Sequence, residues 1–180
     1  FFMLLLSFGI GAFFTIPSFF EKALVNISWL TTDYYDFRNH FVSVGQLFIK
    51  RFWGYGPSVL GNDDRLSLQL GWTHWFSAVV CGLLSILYWF KKKDLKIGVL
   101  ILFFLFWAFS IFMTHAKSVF IWNTLPLLSY VQFPWRFLGI SMFAAAFLGG
   151  GLVYLVPKYK NFAAWAIIFL TVVLNIAYFR

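Results

Sequence analysis

Asp33-Tyr34-Tyr35-Asp36-Phe37-Arg38-Asn39-His40 puts two carboxylates, a guanidinium and an imidazole within eight residues, beside three aromatic rings. Carboxylates accept sugar hydroxyls and take protons from them, while aromatic faces stack on sugar rings or on lipid. The same composition also describes a solvated loop whose charges pair with one another. Asn62-Asp63-Asp64-Arg65 poses the same choice. Its adjacent carboxylates suit a divalent cation such as Mg or Mn, but a plain polar turn has this composition too.

Arg136 lies in Gln132-Phe133-Pro134-Trp135-Arg136-Phe137-Leu138, where a long apolar run begins. A guanidinium flanked by Trp135 and Phe137 at headgroup depth can grip a lipid phosphate through two parallel hydrogen bonds. It can equally serve as an interfacial anchor that snorkels to water. Pro134 restricts the backbone just before it and so pre-positions the side chain. The histidines His40, His74 and His115 show neither His-x-His nor HExxH spacing, so no zinc site is expected. Cys81, the single cysteine, sits among Val79, Val80 and Leu83 and reads as a small core residue. Gly149-Gly150-Gly151 lacks the Lys-Ser/Thr of a phosphate-binding loop and reads as a helix-packing surface.

These residues are carried on a chain that does not belong in water. Of its 180 residues 62% are hydrophobic, 24% aromatic and only 11% charged, with mean hydropathy +0.83. Disordered, collagen-like, disulfide-framework and ordinary globular classes are excluded, because so short a chain has too little interior for that much apolar surface. Five runs approach the ~20 residues that cross a bilayer: 1–20, 73–90, 97–114, 137–156 and 162–179. The expected fold is all-α, a polytopic transmembrane helix bundle in a single domain, 1–180, with interfacial helices on its outer face. The chain opens on Phe1 without Met and ends at Arg180 inside an apolar run, so it reads as a piece of a longer multi-span protein.

Net charge +8 would suggest nucleic acid if the basic residues formed a solvent-facing stripe. Instead Lys91, Lys92, Lys93 and Lys96 fill one short linker and Lys158 and Lys160 another, the pattern of cytoplasmic loops. Linkers 91–96 and 157–161 are therefore expected inside and segments 21–72 and 115–136 outside. In 21–72, five acids balance five bases. Within it, 39–52 has the pattern of an amphipathic interfacial helix, with Asn39, Ser43, Gln46 and Lys50 on one face and Phe41, Val44, Phe48 and Phe52 on the other. Segment 115–136 is expected to hold a short helix opening at Ser118.

Three stretches together resemble a known family: Asp36-Phe-Arg-Asn-His-Phe41 with Gln46-Leu-Phe, then Trp53-Gly-Tyr-Gly56 with Gln69-Leu-Gly-Trp72, and Tyr130-Val-Gln-Phe-Pro-Trp-Arg-Phe-Leu138 after Ile121-Trp122 and Pro126. The ensemble resembles bacterial multi-pass membrane proteins catalogued as 6-pyruvoyl-tetrahydropterin synthase-related, which look related to the C-type (GT-C-like) membrane glycosyltransferases. The soluble pterin enzyme uses a His-x-His zinc pair that is missing here, so pterin chemistry does not transfer. The resemblance implies sugar transfer from a polyprenyl-phosphate carrier to an acceptor at the outer face. It also implies a catalytic base in a loop preceding Phe1, so that Asp33, Asp36 and Asp63 line the site as acidic candidates.

The expected roles follow from these readings. Arg136 contacts the carrier phosphate. Asp36, Arg38 and His40 stand at the acceptor side, and Trp53, Tyr55 and Trp135 line the substrate. Partners are membrane lipids and the polyprenyl-phosphate sugar donor, with no nucleic acid and with Mg or Mn as the only cofactor under consideration. A non-catalytic membrane protein that binds or transports lipid-linked glycans is the alternative.

Overall fold

The computed structural model describes residues 1–21, 24, 26, 28–52, 54–60 and 64–179. Trp53 and Asp63, two of the candidate site residues, lie outside the described residues. Every described element is helical. Among the described residues four helices are long and apolar enough to cross a membrane: α1 (Phe2–Glu21), α3 (Trp72–Lys91), α4 (Leu95–Thr114) and α6 (Phe137–Leu155), the last entered through a 3-10 turn at Pro134–Arg136. Short helices α2 (Val44–Phe48) and α5 (Val119–Thr124) precede α3 and α6, and α7 (Lys160–Asn175) follows. The fifth apolar run is thus divided. Its α-helix has 16 residues, about 24 Å at 1.5 Å per residue, and continues as a 3-10 turn, Ile176–Phe179.

The helix ends follow local chemistry. α3 stops at Lys91, and Asp94 caps α4 by accepting the Lys96 N–H at 3.0 Å. Pro157 cannot continue α6 and opens the next 3-10 turn. Residues 92–94 turn α3 into α4, and the 115–136 segment folds back on the end of α4 before α6 begins, so α3, α4 and α6 alternate in direction and pack on one another, with α7 against α3 and α6. Both lysine linkers therefore lie at one end of the bundle, with Lys96 over the Tyr154 ring, and the described residues of 28–71 together with 115–136 cap the other.

Inside the bundle the buried residues of α3 and α6 are mostly small, facing larger ones such as Leu100 and Trp107 on α4. Ser77, Ala78, Cys81, Gly82 and Ser85 form the buried face of α3, and Ser141, Ala144, Ala145, Leu148, Gly149 and Gly151 that of α6. Apolar lipid gives helices no hydrophobic reason to associate, so close packing of small side chains must hold them. Gly82 and Gly151 mark the tightest points. A Cβ at Gly82 would stand 2.3 Å from the Phe104 ring, and one at Gly151 would stand 2.4 Å from Leu100 Cδ2. The glycines of α1 do not pack in this way: a Cβ at Gly9 or Gly11 meets nothing within 4 Å, and α1 buries none of its residues. Its outward apolar side chains are what contact with hydrocarbon requires.

The expected amphipathic helix over 39–52 is not formed as one element. Phe37–His40 is a 3-10 turn, residues 41–43 are extended, and only Val44–Phe48 is α-helical. Two local interactions decide this. The Val42 N–H donates to the Thr114 carbonyl at the end of α4, 2.9 Å away, which holds the strand-like stretch in place. Ser43 then starts a new helix through a reciprocal capping box with Gln46. Segment 115–136 behaves as its sequence suggests, with α5 beginning directly after Ser118.

Candidate functional site

The cap at the 115–136 end is organised around Trp122. Its ring stacks on Phe37 at 5.1 Å, meets Phe41 and Phe137 edge-on, and its indole N–H reaches both the Met113 carbonyl and Ser118 Oγ at 3.2 Å. With Met113 these rings form a core separate from that of the bundle. On it rests the 33–40 segment. Asp36 caps the turn by accepting the Arg38 N–H at 2.9 Å, and the Arg38 guanidinium returns to the same carboxylate at 3.1 Å. Arg38 also donates to Asn123 Oδ1 at 2.9 Å and lies over the Phe37 ring. The Asp36 carboxylate is thus already engaged by three donor contacts, two of them from one guanidinium. Asp33 is exposed, and its positive φ of 50° is one that aspartate tolerates better than most residues.

His40 occupies an unexpected place. Only 1% of its surface is exposed, its Nε2 contacts the Tyr34 carbonyl, and its ring is held between Tyr34 and Phe133. It wedges the two outer segments together and does not face solvent. Phe133 is the other half of that contact, reached also by Tyr35 and stacked on by Arg136 at 5.1 Å. Trp135 packs beside Phe133 and against the Val42–Leu47–Leu68 cluster, with its indole N–H buried and without a partner among the described residues.

Arg136 is held at one edge. Its Nη1 donates to the Val131 carbonyl at 2.9 Å, and the same carbonyl accepts the Phe133 N–H at 2.7 Å. That second bond closes a γ-turn on Gln132, whose φ of 64° and ψ of −49° are the strained form of such turns. Gln132 is anchored in turn by donating to the Leu30 carbonyl at 2.8 Å. The rest of the guanidinium faces outward. The turn places an exposed cation and a rigid aromatic shelf next to Asp36–Arg38.

Tyr55 does not join this group. It is 89% exposed and lines a different cleft, with Gln69, His74 and Tyr178. Asp64, the described half of the acidic pair, turns inward. Its two oxygens accept from the Leu66 N–H at 2.9 Å and Gln46 Nε2 at 3.1 Å. Among the described residues no group of three or more His, Cys, Asp or Glu side chains gathers where it could hold a metal.

Burial raises the Asp64 carboxyl above the ordinary 3.8, an effect that those hydrogen bonds and the nearby positive charge of His40 and Lys50 only partly offset. The folded chain then binds this proton more tightly than the unfolded chain does. Stability conferred by the group is present below 3.8 and is lost as pH rises through the folded value. Asp64→Asn is expected to flatten the fall in stability that sets in as pH rises above 3.8, as read by thermal unfolding in detergent. An unchanged slope contradicts the assignment.

Asn123, Gln132 and Phe133 complete the cap, and none of them stood out by residue type. Asn123 has no sequence signal at all, since its partner Arg38 is 85 positions away. Gln132 and Phe133 lie in the Gln-Phe-Pro-Trp-Arg string, so their neighbourhood was legible though their roles were not. Comparison with protein-family models, with curated proteins and with solved structures gives no match to this chain.

Proposed function

We propose that this chain belongs to an integral membrane glycosyltransferase-like protein that uses a polyprenyl-phosphate-linked sugar at the outer face of the cytoplasmic membrane. One observation carries the reading: residues 33–40 and 131–137, nominated separately as acceptor side and phosphate contact, converge on one aromatic cap through His40, Phe133 and Arg136. The lysine linkers at the opposite end support an outward orientation for this cap. The resemblance of the Gln132–Leu138 string to membrane glycosyltransferases of the GT-C type supports the reaction class.

In this reading the outward edge of Arg136 meets the carrier phosphate and neutralises charge as the phosphate leaves. The acceptor oxygen forms the new bond to the anomeric carbon, the bond from that carbon to the phosphate oxygen breaks, and a carboxylate takes the acceptor proton. Asp33 is the exposed carboxylate of the cap, whereas Asp36 is engaged by Arg38. That engagement favours a second reading, in which the cap binds or passes on a lipid-linked glycan without chemistry.

Transfer of radiolabelled sugar from a polyprenyl-phosphate donor by membranes containing the intact protein tests the first reading. Binding without transfer selects the second. In either case Arg136→Ala is expected to weaken binding of a polyprenyl-phosphate analogue by about tenfold or more, as loss of a charge-assisted contact implies. Lys117→Ala, at an exposed lysine before α5, should leave it near the parent value. Equal effects of the two substitutions remove Arg136 from the phosphate site.

A further inference from the structure

A second surface, away from the Trp122 cap, combines three environments in sequence. Between α3, α6 and α7 runs an apolar groove of about 440 Å³, walled by Trp72, Phe76, Leu152, Ala166, Ile167 and Leu170. It shares Thr73, Ser77 and Ile167 with a narrow space of about 150 Å³. That space shares His74 with a polar cleft of about 390 Å³, lined by Tyr55, Ser67, Gln69, Asn175 and Tyr178 among others. Hydrocarbon, neck and hydrogen-bonding pocket therefore follow one another toward the capped end of the bundle.

The polar part is built but unsatisfied. Thr73 is only 8% exposed, and its buried hydroxyl has no partner among the described residues. Gln69 Nε2 and His74 Nδ1 are buried without partners as well, while Gln69 Oε1 accepts from the Tyr178 hydroxyl at 3.0 Å. Buried polar atoms left in this state cost free energy unless something binds them. The same place is electropositive. α3 begins there on Gly71, which has no side chain to cap the free N–H groups of the first turn. Over it stands Arg51, its guanidinium 5.5 Å from the Trp72 ring and 5.6 Å from the Tyr178 ring. Trp72 walls the groove and Tyr178 the cleft, so the cation bridges the two. Among the described residues Arg51 has no carboxylate partner.

We infer that this surface binds a membrane phospholipid with a phosphodiester and a small hydroxylated head, of the phosphatidylglycerol type. An acyl chain lies in the α3–α7 groove, the phosphate meets Arg51 and the α3 N-terminus, and the hydroxyls reach Gln69, Thr73 and His74. A planar guanidinium braced on two aromatic rings is well suited to phosphate. An apolar groove open to the bilayer joined to a hydrogen-bonding cleft suits an amphiphile and neither a free anion nor a purely apolar molecule. The site uses no residue of the Trp122 cap and stands independently of sugar transfer.

Native mass spectrometry of the whole chain in detergent, titrated with phosphatidylglycerol, provides the test. One lipid is expected to be retained, with diacylglycerol of the same chains bound about tenfold more weakly. Arg51→Gln is expected to lose about tenfold in affinity. Thr73→Val, which keeps the side-chain shape, is expected to lose a smaller factor. Lys158→Gln, at the opposite end of the bundle, should match the parent. Equal retention of diacylglycerol, or an Arg51→Gln protein that binds like the parent, overturns the proposal. So does competition by free glycerol phosphate as strong as that by the lipid, or a preference for an isoprenoid phosphate over phosphatidylglycerol. Because binding is read without any sugar donor, absence of transferase activity leaves the result untouched.

Discussion

Trp122→Ala is expected to cost about 3–5 kcal/mol, the range for deleting a large buried aromatic side chain. The residue is 1% exposed and has three ring neighbours, Phe37 and Phe41 from one outer segment and Phe137 from α6. Removing it leaves a cavity beneath the 33–40 segment and strips a hydrogen-bond donor from the Met113 carbonyl at the end of α4. Because the cap has its own core, the damage should be local. Protease sensitivity of 115–136 should rise while the bundle keeps its helical circular dichroism. Trp122→Phe narrows the contributions: a smaller aromatic ring still fills much of the site while the indole N–H contacts go, so the loss should be well below that of alanine. If Trp122→Ala melts with the parent protein, the cap does not depend on this core. The Arg38–Asn123 contact, one residue further along α5, is then not held by it either.

Gly151→Ala carries the second large effect, in the bundle itself. The new methyl would stand 2.4 Å from Leu100 Cδ2 and 3.1 Å from Cys81 Sγ. Both neighbours are themselves buried, so neither can swing aside into open space. Overpacking of this kind costs about 1–3 kcal/mol, set against the few tenths up to about 1 kcal/mol that alanine gains over glycine in a helix. Gly150→Ala is the matched comparison. It stands one position earlier, its Cβ would meet nothing within 4 Å, and only the propensity gain applies. Midpoints of unfolding in mixed detergent should therefore move in opposite directions for the two variants. A shared direction would mean that α3, α4 and α6 do not approach as closely as Gly151 implies.

The three adjacent glycines show what a linear reading can and cannot resolve. Small residues in an apolar run announce a packing face, and the face is real. Which glycine is indispensable depends on helical phase against Leu100 and Cys81, which belong to two other helices. The same reasoning applied to Gly9 and Gly11 fails, because α1 buries nothing, and it does not single out Gly82, where the Phe104 ring lies against the backbone. The candidate site divides along similar lines. Arg136 and the 33–40 cluster were visible because charges and aromatics crowd into short stretches beside a span. His40 was visible as an imidazole but not as a buried wedge, since burial is conferred by Tyr34 and by Phe133, 93 positions later. Arg51 entered the sequence reading only as one charge in a balance of acids and bases. It stands out once Trp72 and Tyr178 are seen on either side of it.

By itself the sequence determined that this chain is an all-α membrane protein, where the four longest apolar helices begin and end, and which linkers share an end of the bundle. Those features depend on transfer free energy and on local backbone chemistry, summed along contiguous residues. Only the tertiary structure decided that 39–52 is three short pieces, that Tyr55 lies away from Arg136, and that unsatisfied polar atoms sit beside an apolar groove. Each of these depends on contacts between residues distant in the chain. The Val42 hydrogen bond to Thr114 and the Gly71 approach to Asn175 leave no mark in the local pattern of residues.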